Sequence, residues 1–193
     1  RDLVRSRGLG DVYKRQALIL AGDFDKGLQR MKEIYAPQIN NKELTTLYER
    51  FDVKRPGTPN HAWNTPNYVL SKYVSGIRPT EPAWTHFEVR PYLTSFESVS
   101  QLVPSVKGNI EMKASKDNTS CCITLKSPKA TVAKVYLPLL GRKLSTVQIN
   151  GKVVWQDGIS VDSVLTGCRF VNIDNDCICY EVQSGNWDFK LTF

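Results

Sequence analysis

The residues best suited to chemistry lie in Thr45-Thr46-Leu47-Tyr48-Glu49-Arg50-Phe51, with His61 twelve positions after Glu49 in Asn60-His61-Ala62-Trp63. A carboxylate set between aromatics can be held oriented and partly desolvated, ready to take a proton from water. A neutral imidazole both donates and accepts hydrogen bonds. A tryptophan face stacks on the C–H faces of sugars. Together these types furnish a sugar-cleaving site. Hydrolysis with inversion needs a second, protonated carboxyl roughly 6.5–9.5 Å from the first, leaving room for the attacking water. The plainer alternative makes Glu49 a solvated helix residue paired with Arg50 or a lysine, and His61 a surface residue in a Pro/Gly loop. Arg50, Asp52 and Arg55 are the polar neighbours that could orient the base.

The elements that must position these residues fall into two halves with different periods. Phe24, Leu28, Met31 and Tyr35 recur at helical spacing, Asp23 stands where an N-cap belongs, and Pro37 marks an end. A second helix is expected from Asn40 or Asn41 through Phe51, carrying Glu49. The loop V-K-R-P-G-T-P-N follows. A third helix has Thr65 as N-cap, Pro66 in its first turn, Gly76 at its end, and Val69, Leu70, Tyr73 and Val74 on its buried face. Beyond Pro79 the pattern becomes short β-branched or alternating runs, as in a sandwich or barrel. These are Glu97–Val103, Asn109–Met112, Cys121–Leu125, Val132–Leu137, Val147–Ile149, Lys152–Trp155, Phe170–Ile173, Cys177–Val182 and Trp187–Phe193. Asn150-Gly151 is the strongest hairpin signal, because a type I′ turn needs positive φ at both central residues.

The motif pair resembles the end of the catalytic domain of bacterial inverting α-L-rhamnosidases, where T-T-L-W-E-x-W carries the base and N-H-Y/A a sugar-contacting histidine. The similarity runs on through H-A-W-x-T-x-x-x-x-L-S-K-Y-V-x-G-I-R-P-T-x-P, F-E-V-R-P, V-Y-L-P at Val135–Pro138 and S-G-N-W-D-F. It covers nearly everything from Ala17 on; the spacing between Glu49 and His61 is shorter than in many members. The resemblance implies a multidomain α + β chain: the last helices of an (α/α)₆ six-hairpin barrel over residues 17–82, incomplete here, then an antiparallel β-sandwich over 83–193. It implies Glu49 as general base and His61 as a substrate contact, while Trp63, beside that histidine, is the one sugar-stacking candidate among the aromatics. The partners it implies are a rhamnose-containing glycoside and the remainder of the barrel. No metal cluster or phosphate loop stands in the sequence, so no cofactor is expected. Relatives of this kind are often exported, to a periplasm or outside the cell.

Residues 1–16, R-D-L-V-R-S-R-G-L-G-D-V-Y-K-R-Q, resemble translated sequencing-adapter read-through of the kind fused to metagenomic reading frames, and carry no functional weight here. The native upstream sequence, with the general acid and any signal peptide, is expected to be missing, so the fragment alone should be inactive.

Composition narrows the classes further. With 41% hydrophobic and 10% aromatic residues among 193, the chain can bury a core. The net charge of +7 suggests nucleic acid, but residues 1–16 hold net +3, leaving +4 spread over the rest without a basic stripe. No apolar run approaches the roughly 18 residues of a membrane span. The five cysteines, Cys121, Cys122, Cys168, Cys177 and Cys179, match no metal knuckle and read as buried free thiols, a bridge from Cys168 or Cys121/122 to Cys177/179 being the other arrangement open. Two alternatives to the rhamnosidase reading stand: a six-hairpin glycosidase of different sugar specificity, and a noncatalytic carbohydrate-binding or structural β-sandwich module. The latter would need exposed aromatics on one face, for which Trp155, Tyr180 and Trp187 are the candidates.

Overall fold

The computed structural model describes residues 17–44, 46–48, 54–55, 65–161, 165–174 and 176–193. Residues 1–16, read as adapter-like, lie outside that set. The chain divides into two compact units between residues 69 and 70.

The first unit contains α1 (Phe24–Ile39), which buries Leu28, Met31 and Tyr35 as their spacing predicts, together with Gly27 and Gln38. Asp23 stands at the N-cap but makes no cap bond; its carboxylate instead takes Lys26 Nζ at 2.6 Å. The helix does not stop at Pro37. It runs two residues further, because a proline in the last turn sacrifices a single amide bond while its exposed ring meets solvent. Asn40 is then the C-cap, its amide bonded to Ala36 O at 2.9 Å.

The helix expected from Asn40 or Asn41 is not formed over its described part. Asn41 Oδ1 accepts the Glu43 amide at 2.9 Å, a local bond that favours a turn. Further on, the Gln38 side chain engages Tyr48 on both sides, accepting from its N–H at 2.9 Å and donating to its C=O at 3.4 Å. The third expected helix is two pieces: α2 (Thr65–Val69), closing the first unit, and a π-turn Leu70–Val74, opening the second. Ser75 N–H reaches Leu70 O, five residues back, at 2.9 Å. That wider turn changes the phase of the faces, so Leu70 is exposed rather than buried. Tyr68 is also exposed.

The second unit is mostly sheet. Among the described residues ten strands, β1 (Ile77–Pro79), β2 (His86–Val89), β3 (Ser98–Ser105), β4 (Gly108–Lys116), β5 (Ser120–Pro138), β6 (Thr146–Ile149), β7 (Lys152–Gln156), β8 (Ile159–Ser160), β9 (Cys168–Asp174) and β10 (Cys177–Thr192), form one connected sheet. The sheet begins at Ile77, ahead of the change of period seen in the sequence. All pairings are antiparallel except β2 with the second half of β5. Runs 121–125 and 132–137, read separately, belong to the single strand β5, and 177–182 and all but the last residue of 187–193 to β10.

These two long strands organise the unit. They pair along most of their length, with the register broken between Gln183 and Gly185. The first half of β5 also pairs β4 and its second half β2. The first half of β10 pairs β9 and its second half β6. Odd residues of β5 are buried from Cys121 to Ser127 and again from Thr131 to Leu137, with Lys129 between them exposed. In β10 the inward set changes from Ile178, Tyr180 and Val182 to Trp187, Phe189 and Leu191, the irregularity absorbing the parity change. Both halves of the sheet therefore contribute to one core, as in a sandwich whose layers share two strands. Trp84 packs on this core with its ring centroid 6.1 Å from that of Phe87.

The Asn150-Gly151 hairpin forms between β6 and β7 with φ of 48° and 78°. Asn150 Oδ1 also accepts the Asp188 amide at 2.8 Å, fastening the turn to β10. A second two-residue turn, Asp157-Gly158, joins β7 to β8 with φ of 47° and 92°.

Candidate functional site

Glu49, His61 and Trp63 lie outside the described residues, as do Arg50 and Asp52. Their described flank is Tyr48, immediately before Glu49, held by Gln38. A buried amide bonded to both backbone groups of one residue works like a rung of a strand ladder, so Tyr48 is fixed to α1 in an extended rather than a helical setting. The helical placement expected for the motif is thus replaced at Tyr48 by a side chain ten residues upstream. Arg55 is exposed.

In the second unit several ionisable groups form ion pairs. Arg169 Nε meets Glu181 Oε1 at 2.7 Å, Arg78 pairs with Glu88, and His86 Nδ1 meets Glu81 Oε2 at 2.6 Å. The Arg90 guanidinium lies 3.8 Å from the centre of the Tyr136 ring and 3.4 Å from Asp174 Oδ2. Solvent screening leaves such surface pairs weak, and none of them sets two carboxyls across a sugar-sized gap. Among the described residues no group of three or more His, Cys, Asp or Glu side chains could hold a metal, and no helix is long and apolar enough to cross a membrane.

All five cysteines are free thiols, so neither bridge left open by the sequence forms. Cys121, Cys177 and Cys179 are buried. Burial pushes the Cys121 thiol up to about 12 and those of Cys168, Cys177 and Cys179 up to about 11, so they are poor nucleophiles.

The three aromatics that a binding-module reading would need on an open face do not form one. Tyr180 and Trp187 are buried, and Trp187 Nε1 donates to Gln183 O at 2.7 Å. Trp155 is half-buried and stacks on Phe170 at 5.8 Å. Phe170 is the exposed ring of this group, and with Tyr180 it lines a cleft between β7, β8, β9 and β10. No local pattern announces that cleft, because its walls come from strands brought together only by the sheet.

Residues 76–152 match the family model of the bacterial alpha-L-rhamnosidase C-terminal domain. The fold is similar to that of an α-L-rhamnosidase from Dictyoglumus thermophilum, with a TM-score of 0.62 and 17% identity over 77% of this chain. It is similar as well to a Streptomyces avermitilis α-L-rhamnosidase complexed with L-rhamnose, with a TM-score of 0.56 and 20% identity over 76% of this chain. The matched regions span 16% and 14% of those two proteins. No curated protein sequence matches the chain. The family model and these folds meet on one mostly-sheet unit: residues 76–152 match the bacterial α-L-rhamnosidase C-terminal domain, and the chain resembles a C-terminal fragment of such an enzyme.

Proposed function

We propose that this chain is the C-terminal part of a glycoside hydrolase that releases terminal α-L-rhamnose by inversion. Residues 17–82 contribute the last helices of an (α/α)₆ barrel, and the β unit follows as a C-terminal sandwich. Glu49 is the general base that activates water. His61 hydrogen-bonds the sugar, and Trp63 stacks on it. No cofactor is required, because a carboxyl pair supplies both proton transfers. The general acid and the rest of the sugar pocket come from barrel helices upstream.

The observation that carries this reading is the order of the parts. The motif pair ending in His61-Ala62-Trp63 stands only 15 residues, from His61, ahead of the segment matching a rhamnosidase C-terminal domain. The Gln38 clamp on Tyr48 supports it by giving the residue before Glu49 a fixed backbone.

The test is turnover of an aryl α-L-rhamnoside. With the chain rejoined to its native upstream sequence, Glu49→Gln should lower turnover about 10²–10⁴-fold while the fold is retained. The 193-residue chain alone should read background. Undiminished turnover in the Glu49→Gln protein would refute the assignment.

A further inference from the structure

Asn150-Gly151, at the tip of the β6–β7 hairpin, is the one Asn-Gly pair in the chain. Such a pair can react with itself. The Gly151 nitrogen, once hydroxide has taken its proton, attacks Asn150 Cγ. A bond forms between them, the Cγ–Nδ2 bond breaks, and the side-chain nitrogen leaves as ammonia with a proton from water. Water then opens the five-membered imide on either side. Cleavage at Cγ leaves aspartate. Cleavage at the backbone carbonyl leaves isoaspartate, in which the chain runs through the side chain. Glycine shields its own amide least, and a Cβ built on Gly151 meets nothing within 4 Å, so solvent base reaches the nucleophile. Both residues are exposed.

The structure turns the electrophile away from its own backbone. Asn150 Oδ1 accepts the Asp188 amide at 2.8 Å, and Nδ2 donates to Asn186 O at 3.4 Å. Asn150 N–H in turn donates to Asp188 O at 2.8 Å. Asn150 and Asp188 thus exchange bonds as a strand pair does, one step beyond the Ile149–Phe189 pair, with the side chain standing in for a backbone carbonyl. Closing the imide ring swings Cγ onto Gly151 N and breaks both side-chain bonds. Asp157-Gly158 supplies the comparison. It makes the same kind of turn, with φ of 47° and 92° against 48° and 78°, but its tie is a backbone bond, Asp157 N–H to Ser145 O at 2.8 Å.

We propose that Asn150 is a latent self-modification site: its tie to β10 holds imide formation in check, and freeing the hairpin from β10 lets the reaction proceed. The change is one-way. Isoaspartate adds a backbone atom to a two-residue turn, and aspartate sets a carboxylate against Asn186 O, so neither product remakes the native tie. None of these residues belongs to the Glu49 motif, so the inference is independent of the hydrolase reading.

Peptide mass mapping of the full 193-residue chain, held in mildly alkaline buffer with and without urea, tests this. In urea, Asn150 should convert with release of ammonia, and Gly151→Ala should slow that conversion. In the folded chain, conversion should be at least about tenfold slower, the equivalent of one hydrogen bond. Asp157→Asn builds a second Asn-Gly pair lacking the side-chain tie to β10, at an exposed turn where circular dichroism checks that the fold is kept. In that folded variant, position 157 should convert about tenfold faster than position 150, and in urea the two should match. The proposal is overturned if Asn150 reacts as fast folded as unfolded, or is inert in urea. It is equally overturned if positions 150 and 157 convert at one rate in the folded variant.

Discussion

Gly76 lies where the π-turn gives way to β1, and replacing it with alanine puts the packing of that junction to a quantitative test. Its φ is +65°, and a Cβ built there would sit 1.9 Å from Arg90 O, 2.4 Å from Arg90 C and 3.0 Å from Arg90 Cα. All three are backbone atoms, so no side chain can swing aside. Ordinary contact begins at 3.4 Å, so the two backbones must part by about 1.5 Å, a shift a close-packed interior resists. Two hydrogen bonds span this junction, Arg90 N–H to Gly76 O at 3.0 Å and Tyr92 N–H to Val74 O at 2.8 Å. Losing both costs about 1–3 kcal/mol. Holding alanine in the left-handed region adds about 1–2 kcal/mol. Gly76→Ala should therefore destabilise the β unit by about 2–5 kcal/mol. Gly151→Ala is the internal control: its φ is +78° with nothing within 4 Å, so only the conformational cost of about 1–2 kcal/mol remains. Urea unfolding followed by circular dichroism, with the slope unchanged, measures both. Equal losses in the two variants, or a loss under about 1 kcal/mol for Gly76→Ala, would refute the clash argument.

Alkaline pH should weaken the fold through the buried thiols. Their folded pKa values of about 11 to 12 exceed the ordinary 9.0, so their contribution is complete below pH 9 and drains as pH rises toward those values. Urea unfolding from pH 9 to 11 should show falling stability, with a shallower slope in Cys121→Ala; the same slope in both proteins contradicts this. Asp117 organises the β4–β5 turn by accepting the Thr119 and Ser120 amides, each at 2.7 Å, and both their hydroxyls, which holds its carboxyl below the usual range. A depressed pKa means this contribution persists at neutral pH and is lost only when pH falls well below the ordinary carboxylate range. Asp117→Ala should speed hydrogen exchange at the Thr119 and Ser120 amides about tenfold, and unaltered exchange would show that the carboxylate does not hold the turn.

Much of the β unit is legible in the sequence, because period-two burial and turn chemistry are local. Odd residues of 121–125 and 133–137 alternate as read, and Asn150-Gly151 makes its turn because both residues tolerate positive φ. Asp157-Gly158 obeys the same rule and could have been read from it. The candidate site is legible differently. Glu49, His61 and Trp63 are recognised by the order of a motif, whereas the cleft beside Tyr180 carries no motif and depends on strands from residue 152 to residue 180 meeting.

By itself the sequence determined that helices precede strands, which residues of α1 face inward and where the β6–β7 hairpin turns. Each of these follows from a residue's own backbone preference or from neighbours a few positions away. The tertiary structure decided what depends on distant partners. Asn40 ends a helix rather than starting one, with Tyr48 bonded instead to Gln38. Residues 120–138 are one strand rather than two because β10, more than forty residues later in places, pairs with both halves. A strand exists only through another strand's hydrogen bonds, so its length and the cleft it walls are properties of the assembled sheet.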